Sequence, residues 1–165
     1  MTPFNNLTTK AKEAVRKAHD LAIERGQNHI NPLHLLTALV LQEESIVLSI
    51  LERMDIDTIL FTDSLLEDIE GNDQGSVISP SYQLYLTPEL AQVLENASKV
   101  SNSFNDSFVS IEHLFISIID HPGPAREILS RFRIDRASVL NIFKLGMSCH
   151  RLFLLDIYLC VMPSS

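Results

Sequence analysis

The sequence contains an internal repeat with a period of 79 residues. At this shift residues 7–8, Leu-Thr, match residues 86–87, also Leu-Thr. One residue fewer in the intervening loop lowers the shift to 78, and five of the eight residues 50–57 are then identical to those at 128–135. A long internal period indicates one supersecondary unit used twice. The two copies are therefore expected to pack as a pseudo-symmetric pair with a groove at their seam.

Apolar residues at helical spacing, bounded by small polar caps, predict four helices in each unit. In the first unit the helices are expected from Thr8 to about Arg25, from Asn31 onward, from about Ser45 to Met54, and from Asp57 to near Glu70. The second unit repeats the caps at Thr87, Ser110 and Asp135. No convincing strand is predicted, although residues 82–85 could be briefly extended. The expected fold is all-α, a pseudo-twofold tandem repeat of two four-helix units.

The expected domain covers residues 1–146, with repeat 1 at about 7–70, a linker at 71–85 and repeat 2 at about 86–144. The tail at 147–165 departs from the repeat pattern. Its apolar stretch, 152–162, is too short to cross a bilayer and contains Asp156. It is interpreted either as a docked or interfacial helix, or as an aberrant end produced by truncation or a shifted reading frame.

Composition excludes several classes of function. The formal net charge is −8, whereas binding to nucleic acid or to anionic lipid needs a dense Lys/Arg face. Both cysteines lie in the last 17 residues, which fits a reducing, cytoplasmic compartment, and the first six residues predict no signal peptide. The sequence has no P-loop, no zinc-ligand spacing, and no recurring nucleophile, base and orienting group. We therefore expect no enzyme activity, no cofactor and no metal.

Two histidines occupy the same position in the two units. His34 and His113 each lie three residues after a predicted cap, where a neutral imidazole can bond back toward the cap as Glu does in a capping box. The structural role is favoured over a catalytic or ligand role. Asp106 and Glu112 flank the same helix start in the second unit only, and they are either a negative pair that stabilises the helix N-terminus or functional residues.

The motifs in both halves resemble a known family. Residues 31–39 (NPLHLLTAL) with 42–44, together with 86–94 (LTPELAQVL) and 106–115 (DSFVSIEHLF), resemble the Clp amino-terminal repeat domain in its ClpB-type disaggregase form. The resemblance covers about residues 5–145 in the family's order and spacing. It implies an all-α pseudo-dimer of two four-helix repeats.

The resemblance also implies a non-catalytic recognition module. Family domains of this kind precede ATPase modules of the AAA+ class and engage exposed segments of unfolded or aggregated protein, or adaptors, in protein disaggregation and the stress response. The substrate-binding residues implied for this chain are Thr8, Leu94, Val100, Asp106, Glu112 and His113. The isolated domain is expected to be monomeric, with no nucleic-acid or membrane partner. The alternative is a stand-alone adaptor or regulator that docks on a Clp chaperone or protease.

Overall fold

The computed structural model describes residues 5–71 and 85–143 and shows the expected all-α architecture. The predicted linker residues 72–84 and the tail 147–165 lie outside the described residues. In repeat 1 the helices are α1 (Thr9–Glu24), α2 (Pro32–Leu41), α3 (Ile46–Arg53) and α4 (Thr58–Gly71). In repeat 2 they are α5 (Pro88–Ser103), α6 (Ile111–Asp120), α7 (Pro124–Arg131) and α8, whose described part is 136–143.

The predicted caps are confirmed. The Thr8 hydroxyl oxygen accepts a hydrogen bond from the Ala11 N–H, and the equivalent Thr87 accepts from Leu90, both at 3.2 Å. The Asp57 carboxylate accepts from the first N–H groups of α4 at 3.1 Å. These side chains satisfy helical N–H groups that have no partner within the helix. The helix starts therefore recur in both repeats because the capping residues recur.

The helix ends also recur, in a way that the sequence analysis found at only one position. Gly26, which follows α1, has a φ of 66°, and its counterpart Asn105 after α5 has a φ of 59°. Asp55 after α3 and Arg133 after α7 are likewise left-handed, at 57° and 58°. At each stop the next N–H reaches back to a carbonyl of the last turn, as in Ile134 to Leu129 at 2.9 Å. Only the glycine was recognisable from sequence, since the other three residues do not advertise this conformation.

The prediction that no strand occurs was wrong. Strand β1 (His29–Ile30) pairs in parallel with β2 (Tyr85–Leu86), and a single bridge joins Leu7 to Val109. The two pairings are equivalent under the 79-residue shift, because Leu7 corresponds to Leu86 and Ile30 to Val109. Each repeat thus lends the residue before its first helix to the segment before the other repeat's second helix, the reciprocity expected of a two-fold relation. Strands of two residues leave no alternating pattern for sequence analysis to detect.

The core is formed where α2 and α6 meet. The two helices contact each other, and α3 packs on α6 as α7 packs on α2. Eight consecutive residues of each helix are buried, 33–40 in α2 and Ile111 with 113–119 in α6. An edge-to-face pair, Phe61 of α4 and Phe132 after α7, joins the repeats at a centroid distance of 5.0 Å. Both repeats therefore contribute to one continuous core.

Within residues 5–71 and 85–143, no single helix is both long and apolar enough to cross a membrane. Helices α2 and α3 reach that length and composition only when taken together, and they are bent by 84°. The apolar character of α2 is explained by its burial in the core.

The left-handed stops predict opposite effects of exchanging glycine in the two repeats. Gly26→Ala should lower the free energy of unfolding by about 1 kcal/mol, because an alanine Cβ is strained at positive φ. Arg133→Gly should leave stability unchanged or raise it by up to about 1 kcal/mol for the same reason. Urea denaturation measures both. An Arg133→Gly loss as large as that of Gly26→Ala would contradict this assignment.

The cap of α8 predicts a contribution to stability that depends on pH. The backbone N–H and side chain of Ser138 donate to the Asp135 carboxylate, and these hydrogen bonds hold its pKa below the ordinary value. Because the folded-state pKa is the lower one, the contribution is complete above about pH 4–5 and is lost as the pH falls through the folded value. Asp135→Asn should flatten the acid limb of a stability–pH profile, and an unchanged limb would exclude the carboxylate as its source.

Candidate functional site

A cleft of about 540 Å³ opens between the two repeats, as expected for the seam of a pseudo-symmetric pair. One wall comes from α3 of repeat 1, the opposite wall from the start of α6 and the loop before it, and the end of α8 completes the lining. The residues that line this first cleft are Thr8, Ile46, Ser49, Ile50, Arg53, Asp106, Ser107, Phe108, Ser110, Glu112, His113, Ile142 and Phe143.

At the centre of one wall, His113 connects the helix cap to a carboxylate. Its Nδ1 accepts the Ser110 backbone N–H at 2.9 Å, so in the neutral ring the proton lies on Nε2. The Nε2–H then donates to Oδ2 of Asp106 at 3.0 Å. The His113 side chain is only 3% exposed, whereas Asp106 is 32% exposed and reaches the cleft. His113 therefore holds the helix start and Asp106 together, which confirms the predicted capping role of the histidine.

Repeat 1 contains a neutral version of the same arrangement. His34 Nδ1 accepts the Asn31 N–H at 3.1 Å, and the Asn31 side chain accepts the His34 N–H at 3.0 Å. Its Nε2 is paired with the Gln27 side-chain oxygen. Gln27 corresponds to Asp106 under the 79-residue shift, so an amide oxygen in one repeat takes the place of a carboxylate in the other. The histidine needs only an acceptor at this position, and the negative charge of Asp106 is an addition specific to repeat 2.

The other predicted polar residues also lie in the first cleft. Thr8 lines it while capping α1, and its N–H donates to the Val109 carbonyl at 2.9 Å. Glu112, in the first turn of α6, is partly exposed on the same wall. The structure thus brings together Thr8, Asp106, Glu112 and His113.

The two predicted apolar residues lie elsewhere. Leu94 and Val100 on α5 are 2% and 5% exposed, and both belong to the core rather than to the cleft lining. Their burial follows from the packing of α5 on α6. They support the wall that carries Asp106 and His113 from behind, and neither presents a free apolar face.

The apolar surface of the first cleft comes from residues that the sequence analysis did not single out. Phe108 is 56% exposed in the loop before α6, and Ile46 and Ile142 are partly buried on the facing helices. Arg53 adds a positive charge from the end of α3. An aromatic residue in a polar loop was a usable signal for Phe108, whereas Ile46 and Ile142 read as ordinary positions on amphipathic helices.

A second cleft of about 340 Å³ occupies the pseudo-equivalent place. Thr87 lies where Thr8 lies in the first cleft, Asn31 replaces Ser110, and Leu33 replaces Glu112. Its remaining lining is Pro32, Glu89, His121, Pro122, Gly123, Pro124 and Ala125. The repeat therefore builds two clefts of the same design, of which only the first carries the Asp106 and Glu112 carboxylates.

Within the described part of the chain, no three His, Cys, Asp or Glu side chains are grouped so that they could hold a metal ion. The carboxylates of the first cleft are therefore available to meet positively charged or hydrogen-bond-donating groups of a partner.

The two roles of Asp106 can be separated by a pair of substitutions. Asp106→Asn keeps an oxygen for the His113 Nε2–H, as Gln27 does for His34, so the free energy of unfolding should change by less than about 0.5 kcal/mol. Asp106→Ala leaves that buried donor without its protein acceptor and should cost about 1–3 kcal/mol. Thermal and urea unfolding measure both variants. Equal losses would show that the carboxylate charge, not the acceptor, maintains the helix start.

The chain matches the family model described as Clp repeat (R) N-terminal domain over residues 6–132. It is 27% identical over 143 residues to the chaperone protein ClpB of Bacillus cereus, covering 84% of this chain and 16% of the relative. It is 30% identical over 139 residues to chaperone protein ClpB 1 of Nostoc sp., covering 84% and 15%. The chain thus spans about a sixth of the length of these relatives.

Solved structures show the same fold. The Hsp104 N-terminal domain from Candida albicans superimposes with a TM-score of 0.70 at 17% identity, covering 82% of this chain and 87% of that one. The ClpV N-domain from Vibrio cholerae gives a TM-score of 0.73 at 18% identity, covering 89% and 88%. A complex of a ClpV N-domain with a VipB peptide gives 0.67 at 17% identity, covering 84% of both chains. With two helical repeats that exchange short pairings across a common core, the chain belongs to the Clp N-terminal repeat domain family.

Proposed function

We propose that this domain is a non-catalytic recognition module that binds exposed segments of unfolded or aggregated polypeptide in the first cleft. The observation that carries the proposal is the composition of that cleft, in which exposed Phe108 lies on the same wall as the carboxylates Asp106 and Glu112. Support from related proteins comes from ClpB, named a chaperone, and from the ClpV N-domain, which was solved with a peptide.

The physical basis is a groove that selects little and releases readily. Apolar side chains of a segment would bury against Phe108, Ile46 and Ile142 at about 25 cal/mol per Å² of area removed from water. The Asp106 and Glu112 carboxylates would accept hydrogen bonds from basic side chains or unpaired backbone N–H groups next to the apolar residues. Such contacts suit many extended sequences and bind each of them weakly, because the partner loses conformational freedom on binding.

Weak binding of this kind serves an assembled motor. The ClpB relatives are about six times as long as the matched region, so this domain corresponds to one part of a larger protein. We propose that, when several copies are joined to AAA+ ATPase modules in a ClpB-like disaggregase, the copies act together and avidity replaces affinity. The predicted monomeric state of the isolated domain and its cytoplasmic location stay predictions.

The alternative function, a stand-alone adaptor or regulator that docks on a Clp chaperone or protease, also remains open. The alternative depends on the predicted tail, residues 147–165, as the docking element, and this tail lies outside the described residues. Deleting it separates the two functions: an adaptor would lose its large partner, whereas a recognition domain would keep its affinity for unfolded polypeptide.

Phe108 offers a direct test, because its side chain is exposed and its loss should not disturb folding. Phe108→Ala should weaken binding of a fluorescein-labelled, reduced and carboxymethylated lactalbumin by about tenfold, corresponding to about 1.4 kcal/mol of lost apolar contact. Fluorescence anisotropy measures the affinity, and methyl chemical shifts of Ile46 and Ile142 report the site.

The matched control is Leu60→Ala on α4, since Leu60 is 55% exposed and does not line the cleft. Its affinity for the labelled polypeptide should equal that of the parent. Equal affinities for all three proteins would remove Phe108 from the binding site, and the absence of any shift at Ile46 or Ile142 at millimolar polypeptide would contradict the proposed function.

A further inference from the structure

The described chain ends inside the first cleft. Helix α8 ends its described part at Phe143, and both Ile142 and Phe143 line the cleft between the repeats. The residues that follow, 144–162, are here called the C-terminal segment. Because they start from the cleft itself, they are the nearest polypeptide to it at any concentration of the protein.

The composition of the C-terminal segment fits what the cleft offers. Residues 152–162 form an apolar run, LFLLDIYLCVM, interrupted only by Asp156, and the basic residues Lys144, His150 and Arg151 precede it. The first cleft combines exposed Phe108 with the carboxylates Asp106 and Glu112, and Arg53 lies at the end of its α3 wall. Each charge in the segment therefore has an opposite charge available in the cleft, and the apolar run has an apolar surface.

The second cleft does not offer the same match. It has Leu33 where the first cleft has Glu112, and the position equivalent to Asp106 is the amide Gln27, which lies outside its lining. The body of the protein is a pseudo-symmetric pair, so the two clefts differ mainly in these charges. A basic, apolar segment should therefore select the first cleft.

The tether is long enough to return to the cleft and short enough to favour occupancy. Eight residues, 144–151, separate Phe143 from the apolar run and span at most about 28 Å when extended. A short flexible tether raises the effective concentration of its end to the millimolar range. That concentration is sufficient to populate a complex whose intrinsic affinity is weak.

We infer that the C-terminal segment occupies the first cleft of the same molecule and competes there with external polypeptide. This inference rests on the proposed function and adds to it a means of regulation. If the segment fills the cleft about four-fifths of the time, the apparent affinity for external polypeptide is about fivefold lower than that of the open cleft.

The two native cysteines allow a test that needs no external polypeptide. In Cys149→Ser the sole thiol is Cys160, because the sequence has no other cysteine, and a nitroxide label can be attached there in the full chain. The label should broaden the methyl signals of Ile46 and Ile142 in the first cleft more than those of Leu33 and Ala125 in the second, at every protein concentration. The double variant Cys149→Ser/Cys160→Ser, treated identically, is the unlabelled control.

Equal broadening at the two clefts, or none, would overturn the inference. Broadening that disappears on dilution would also overturn it, because the segment would then be visiting a second molecule. In Leu154→Asp/Leu155→Asp the preferential broadening should be lost, and the affinity for labelled carboxymethylated lactalbumin should rise about fivefold if the open fraction is as estimated above.

These measurements distinguish failure of the inference from failure of the proposed function. An unchanged affinity in Leu154→Asp/Leu155→Asp, with lactalbumin still bound at the first cleft, would overturn only the competition by the segment. Absence of lactalbumin binding in every variant, with preferential broadening intact in the Cys160-labelled chain, would overturn only the proposed function and support docking of the segment.

Discussion

The structure depends on the burial of two equivalent helices, α2 and α6, against each other. Each is apolar around most of its circumference, so neither can be stable at the surface of a single repeat. Once they meet, the N-terminus of each is also buried, and its free N–H groups need partners inside the protein. The caps Asn31 and Ser110 and the histidines that follow them supply those partners. The polar residues of the seam are therefore a consequence of its apolar core.

The same burial determines where a cleft can form. Helix α3 packs on α6 and α7 packs on α2, so each second helix is covered by an element of the other repeat and its first turn stays at the edge of the contact. The loop before α6 is held there by the Leu7–Val109 bridge. Side chains on this loop and turn, such as Phe108 and Glu112, consequently face α3 across an opening. The first cleft is thus a product of the repeat-to-repeat arrangement and belongs to neither repeat alone.

Duplication followed by divergence explains how a structural element acquired a polar surface. His34 and His113 make the same bond to their caps, and each ring needs one further acceptor for its Nε2–H. Gln27 meets that need without charge, whereas Asp106 meets it with a carboxylate that is also one-third exposed in the cleft. Glu112 in place of Leu33 adds a second carboxylate on the same wall. Two substitutions thus give the pair of clefts different electrostatic properties while the fold that carries them is unchanged.

The sequence by itself determined the duplication, the helices, their caps and the all-α class, because these depend on contacts between residues close in the chain. It also identified four residues that line the cleft: Thr8, Asp106, Glu112 and His113. Only the tertiary structure decided that Leu94 and Val100 belong to the core, that Phe108 and Ile142 face the cleft, and that short strands join the repeats. These outcomes depend on which helix packs against which across more than 70 residues of chain, and local periodicity carries no information about that choice.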